Sequence, residues 1–199
     1  MNCRLSYALP LLILGFTVWA ADPPGVRNFQ QVDDHLYRGA QPTPLGFGNL
    51  QKLGVRMIVD LRGGDGHREA EKAVVEKNGM RYIHIPLNGY HAPSDGEMAQ
   101  VLAALDDSTG WPVFIHCKRG ADRTGTVVAC YRIAHDHWPN QKALEEAKLR
   151  RMSWTEWSMQ KYILGFDPKR CCVLAITQAP AGSPAPLPKT VAPAPQAGH

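Results

Sequence analysis

Three stretches rich in Val, Ile and aromatics read as strands, at residues 55–61 (VRMIVDL), 80–87 (MRYIHIPL) and 112–116 (PVFIH), each bounded by Gly, Pro or polar breaks. Helical periodicity fills the gaps between them. Pro44 can open a helix that runs to Leu53 and is ended by Gly54, and residues 68–77 followed by Gly79 make a second. A third starts at Ser94 or Asp95 and runs to Leu105, with Met98, Val101, Leu102 and Leu105 at three- and four-residue spacing. Alternating strands and helices predict an α/β domain, a single domain with a central, mainly parallel sheet flanked by helices. After Arg123 the pattern is helical only, over residues 124–136, 140–152 with Asn140 as cap, and 153–164 opened by the capping box Ser153-x-x-Glu156.

The two ends depart from this pattern. Residues 1–20 hold one charge, Arg4, before a short apolar stretch, with Val18 and Ala20 as the small residues that precede a cut, so a signal peptide cleaved after Ala20 is expected. The alternative is an uncleaved N-terminal anchor. Cys3 precedes the apolar stretch, so a lipid anchor has no support. The implied destination is export, to a periplasm or the medium, with no stable membrane anchor after cleavage. Residues 179–199 contain six Pro and six Ala, which cannot bury enough apolar surface to fold and predict a disordered, extended tail. Residues 24–178 remain as the folded domain.

Composition narrows the function classes. The 199 residues carry a net charge of +4 with no long run of like charges, which argues against nucleic acid as a partner. Five cysteines lack the paired spacing of a zinc site, and His135 and His137 have no third ligand in sequence, so neither a metal nor another cofactor is expected. Cys130, beside Val127 and Val128, reads as a packed core residue, and packing or pairing after export is the reading for Cys171 and Cys172.

Cys117 is different. The strand PVFIH runs straight into His116-Cys117-Lys118-Arg119-Gly120-Ala121-Asp122-Arg123-Thr124-Gly125, and a helix follows. A strand, a tight glycine-containing loop and a helix N-terminus aim their N–H groups at one point and make an anion cradle. Beside Lys118, Arg119 and Arg123, the thiolate form of Cys117 is favoured, and a thiolate in a phosphate cradle is a nucleophile aimed at phosphorus. Arg123 can hold two phosphoryl oxygens with its planar fork, which a lysine cannot do.

This segment resembles the H-C-x-x-G-x-x-R-T-G signature of the cysteine-dependent protein tyrosine and dual-specificity phosphatases. Leu36-Tyr37-Arg38-Gly39-Ala40-Gln41-Pro42, the strand VRMIVDLR and Ala129-Cys130-Tyr131-Arg132 are similar to the plant-and-fungal atypical dual-specificity phosphatases and their bacterial relatives. The resemblance implies a protein tyrosine phosphatase-like fold and a phosphocysteine intermediate on Cys117. It also implies a phosphoryl group held by Arg123 within Lys118, Arg119, Gly120, Ala121, Asp122, Thr124 and Gly125. Thr124 would help the thiolate leave, and His116 would orient the loop. Such enzymes take a proton from an Asp some thirty residues before the cysteine, where this chain reads Pro86-Leu87-Asn88-Gly89-Tyr90 without a carboxylate. Asp95 is the expected general acid, helix capping being its other role, and Asp122 is the alternative. Good leaving groups would need no acid. The substrate is then a phosphorylated protein, on phosphotyrosine or several residues, or an inositol polyphosphate or pyrophosphate. A non-catalytic phosphate-binding module is the reading from another class.

Overall fold

The computed structural model of the chain describes residues 22–64 and 66–171, so the expected export signal at 1–20, the tail at 179–199 and Cys172 lie outside the described residues. Five strands, β1 (Gln30–Gln31), β2 (Leu36–Ala40), β3 (Met57–Asp60), β4 (Arg81–His84) and β5 (Val113–Cys117), form one sheet in the order β1-β2-β5-β3-β4. The pairs β2·β5, β5·β3 and β3·β4 are parallel, and β1 joins the edge antiparallel to β2. The mainly parallel α/β sheet read from the sequence is the observed one.

Successive side chains on a strand point to opposite faces, and the two faces bury different layers. Ile58 of β3 and Phe114 of β5 pack with Phe47 and Leu50 of α1 (Pro44–Lys52) and Val75 of α2 (Arg68–Lys77). Met57, Val59, Val113 and Ile115 face the other side, where α3 (Asp95–Asp106), α4 (Asp122–His135), α5 (Asn140–Leu149) and α6 (Trp157–Leu164) supply the core. Fully burying a side chain such as Ile58 or Phe114 stabilises the domain by roughly 1.5–3 kcal/mol each, and both have no exposed surface. β5 is the middle strand, flanked by parallel neighbours, so its carboxyl end lies where open α/β sheets bind ligands.

Local chemistry sets the helix starts. Thr43 caps α1 with its hydroxyl on the Gly46 N–H, and Pro44 takes the first position, where its missing N–H costs nothing. Ser94, not Asp95, caps α3, and Glu97 completes a capping box. Two expected caps fail. The Asn140 amide donates to the carbonyls of Ile163, Leu164 and Phe166 and so ties α5 to α6 instead of capping its own helix. Ser153 opens no helix: its N–H donates to Asp122 and its hydroxyl meets Thr155, so α6 begins only at Trp157.

Candidate active site

The loop from β5 to α4 lies directly on the backbone of β2. Gly120 has φ +64, and a Cβ there would lie 2.2 Å from the Gly39 carbonyl carbon, so glycine alone allows this approach. The Gly120 carbonyl accepts from Arg38 Nη2 and from Asn28 Nδ2, both at 2.8 Å, and the Gln41 N–H donates to the Lys118 carbonyl. Arg38 is fully buried beneath the loop. Burial pulls its pKa down to about 10, against the attraction of Glu146 and Cys117, so it remains a cation at neutral pH. Sequence reasoning missed this support; the signal was a charged residue inside the short strand LYRGA.

Cys117 ends β5 and is 2% exposed. It opens onto a cavity of about 630 Å³ that Lys118, Arg119, Asp122 and Arg123 also line. Arg123 is held from behind by the Leu61 carbonyl, which accepts from Nη1 at 3.2 Å. The Thr124 hydroxyl is fully buried and makes no hydrogen bond among the described residues, which leaves its proton available to the loop. Gly125 lets α4 pack closely on Ala147 and Met152, whose carbons would sit 3.5 and 3.3 Å from a Cβ at this position. Ala121 faces a neighbouring cavity, and Gly120 serves the loop's backbone path. Cys117 and Cys130 are both free thiols. Cys130 is fully buried in the core, and that burial pushes its thiol pKa up, as packing without chemistry would.

The two expected acids are placed unlike one another. Asp122 borders the cavity, but one of its oxygens accepts the Ser153 N–H at 2.8 Å and the other is bound by Arg119, so it braces the loop. The structure does not bring Asp95 to the cavity. Its carboxylate accepts the Tyr162 hydroxyl of α6 at 2.9 Å and lies 3.7 Å from Arg170, because the first turn of α3 packs there. The carboxylate that sequence reasoning assigned to a capping box, Glu156, lines the cavity instead, and it makes no capping hydrogen bond.

Behind the loop, His116 points to the α1/α2 face and meets Glu71 at 3.0 Å. Glu71 and Asp60 share the Arg62 guanidinium, each at 2.7 Å, and the Tyr82 hydroxyl donates to Asp60. Burial alone would raise the Asp60 carboxyl, but hydrogen bonds from Arg62 and the nearby His116 hold it below the ordinary value. Asp60, Glu71 and His116 converge closely enough to ligate a metal, but the Arg62 guanidinium already bridges the two carboxylates, and with His116 on Glu71 the cluster forms an ion network behind the loop. His135 stacks on Tyr131 and pairs with Asp106, both structural contacts.

The mainly parallel sheet thus places a thiol at the end of its middle strand and an arginine in the first turn of the helix that follows. The family described as "DSP-PTPase phosphatase fused to NAD+ Kinase" matches residues 22–163, and the chain belongs to this dual-specificity phosphatase family. Among relatives, "Inositol diphosphatase DSP3" of Arabidopsis thaliana is 31% identical over 161 residues, covering 77% of each chain. "Dual specificity protein phosphatase TpbA" of Pseudomonas aeruginosa is 32% identical over 159 residues, covering 73% of this chain and 70% of TpbA. The crystal structure of TpbA superposes with a TM-score of 0.64 at 28% identity over 79% of this chain and 93% of that one, and a variant of TpbA has been solved in complex with pTyr. The catalytic core of the PP-IP phosphatase SIW14 from S. cerevisiae shares the fold, with a TM-score of 0.67 at 20% identity over 76% of this chain and 92% of that one. The protein is a phosphatase.

Proposed function

We propose that Cys117 is the nucleophile of a two-step hydrolysis of phosphate monoesters on phosphotyrosine and other phosphorylated side chains. One observation carries this reading: the Cys117 thiol and the Arg123 guanidinium line a single cavity at the carboxyl end of β5. In the first step the thiolate attacks phosphorus in line, the P–O bond breaks, and Arg123 with the loop N–H groups holds the charge spread over the equatorial oxygens. In the second, water displaces the thiolate, and the unpartnered Thr124 hydroxyl donates to the departing sulfur. The 83% exposed Tyr90 gives the rim an aromatic surface suited to a phosphotyrosine ring. The pTyr held by TpbA supports the same substrate.

A second reading, an inositol polyphosphate or diphosphate substrate, is favoured by a neighbouring cavity of about 220 Å³. Arg27, Arg119 and Arg151 line it, and no acidic residue does. Arg119 borders both cavities, so a substrate phosphate placed in the second would sit beside one bound over Cys117. Steady-state kinetics on a phosphotyrosine peptide and an inositol diphosphate separate the two. If the second reading holds, replacing both Arg27 and Arg151 with alanine raises KM for the inositol substrate at least tenfold, since each charge-assisted contact contributes about 1.5 kcal/mol or more. Peptide turnover stays unchanged. An inositol KM that does not move removes the second reading, and a peptide left untouched by the wild-type enzyme removes the first.

We also infer export, supported by the apolar stretch after Arg4 and the small residues Val18 and Ala20. The protein recovered from its natural host is expected to begin at Ala21. A chain that keeps Met1 and stays in the cytosol contradicts this.

A further inference from the structure

Hydrolysis of an alkyl phosphate, or of an aryl phosphate with a poor leaving group, leaves an oxyanion that must be protonated, and the stretch 86–90 has no carboxylate to do it. Asp95 is bound to Tyr162 and Arg170, and both oxygens of Asp122 are occupied. Glu156 is the remaining carboxylate among the residues that line the cavity, and its side chain has no hydrogen bond or ion pair among the described residues. The fold builds this placement. Asp122 accepts the Ser153 N–H and so pins the turn 153–156 beside the start of α4. The Ser153 carbonyl accepts the Glu156 N–H at 3.2 Å and Gln160 Nε2 at 3.0 Å, which fixes the turn's path. Because α6 starts one residue later, Glu156 keeps a non-helical backbone, with φ −81 and ψ 57, and its side chain is released from capping into the cavity.

We propose that Glu156 is the general acid of this phosphatase. The assignment rests on Cys117 as nucleophile. In the first step the Cys117 sulfur forms its bond to phosphorus, the bond to the leaving oxygen breaks with its electron pair, and the Glu156 proton passes to that oxygen. In the second step the Glu156 carboxylate takes a proton from the attacking water, oxygen bonds to phosphorus, and the sulfur leaves as thiolate. Enzyme and proton count are restored at the end of the cycle. The groups facing Glu156 across the cavity are Cys117, Lys118 and Arg119 of the loop, Asp122 and Arg123 of the first turn of α4 and Tyr90 of the rim; the reaction needs Cys117 as thiolate and Glu156 as acid.

The test compares the full-length enzyme with Glu156→Gln and Glu156→Asp on p-nitrophenyl phosphate, whose leaving group needs no proton, and on phenyl phosphate, whose leaving group does. Glu156→Gln is expected to lower kcat/KM for phenyl phosphate by about 100-fold or more, while that for p-nitrophenyl phosphate changes little. The fall of kcat/KM for phenyl phosphate at rising pH disappears in Glu156→Gln, and Glu156→Asp restores part of the rate. Equal losses on both substrates, or no loss on either, overturn the assignment; a thermal midpoint matching the wild type excludes misfolding as the source of any loss. The reading of Cys117 fails separately, through p-nitrophenyl phosphate turnover that survives Cys117→Ser.

Discussion

Cys117→Ser is expected to cut phosphate release from an aryl phosphate by about 10,000-fold or more, the scale seen when a covalent nucleophile is removed, while the folded protein remains. Serine differs from cysteine by one atom at a site that is 2% exposed, so β5 keeps its register between β2 and β3. Reactivity changes far more than shape. Sulfur is intrinsically a strong nucleophile, whereas a hydroxyl at the same position, with no adjacent base to activate it, is a weak one. Arg123 and the loop N–H groups are untouched, so inorganic phosphate should still bind, and a calorimetric titration showing binding without turnover would identify the loss as chemical.

Arg123→Lys should be nearly as damaging, with kcat lower by about 1,000-fold, as for an arginine that stabilises phosphoryl-transfer charge. The substitution keeps the positive charge, so a smaller effect would be expected if Arg123 acted by charge alone. The planar fork serves two directions at once. Nη1 is anchored on the Leu61 carbonyl at the end of β3, which leaves the remaining donors aimed into the cavity. An ammonium group has neither the reach nor the paired geometry for both. Comparing kcat with KM for the two forms decides the point, because a loss confined to KM would make Arg123 a simple binding residue.

The candidate site was legible because its chemistry is contiguous: Cys117, Gly120, Arg123 and Thr124 fall within eight residues, from the end of β5 to the first turn of α4. Strands β3, β4 and β5 were legible for the same reason, as short runs with clear Gly or polar breaks. β2 was not read from periodicity, because Arg38 and Gly39 interrupt its apolar run. Both are explained by the loop above them, one donating to the Gly120 carbonyl and the other yielding room for Gly120. The placement of the candidate acids turned on tertiary contacts that no spacing reveals. Asp95 meets Tyr162 across 67 residues, and Ser153 is captured by Asp122 across 31, which turns a plausible capping box into a loop and exposes Glu156 to the cavity.

Rapid acid quenching of the wild-type enzyme during turnover of an aryl phosphate, followed by peptide mapping by mass spectrometry, tests the covalent mechanism most directly. The expected result is one phosphoryl group on the peptide that contains Cys117, formed in the time of the first turnover and absent from Cys117→Ser. Steady phosphate release with no phosphoryl group on Cys117, or with the group on another residue, would contradict it.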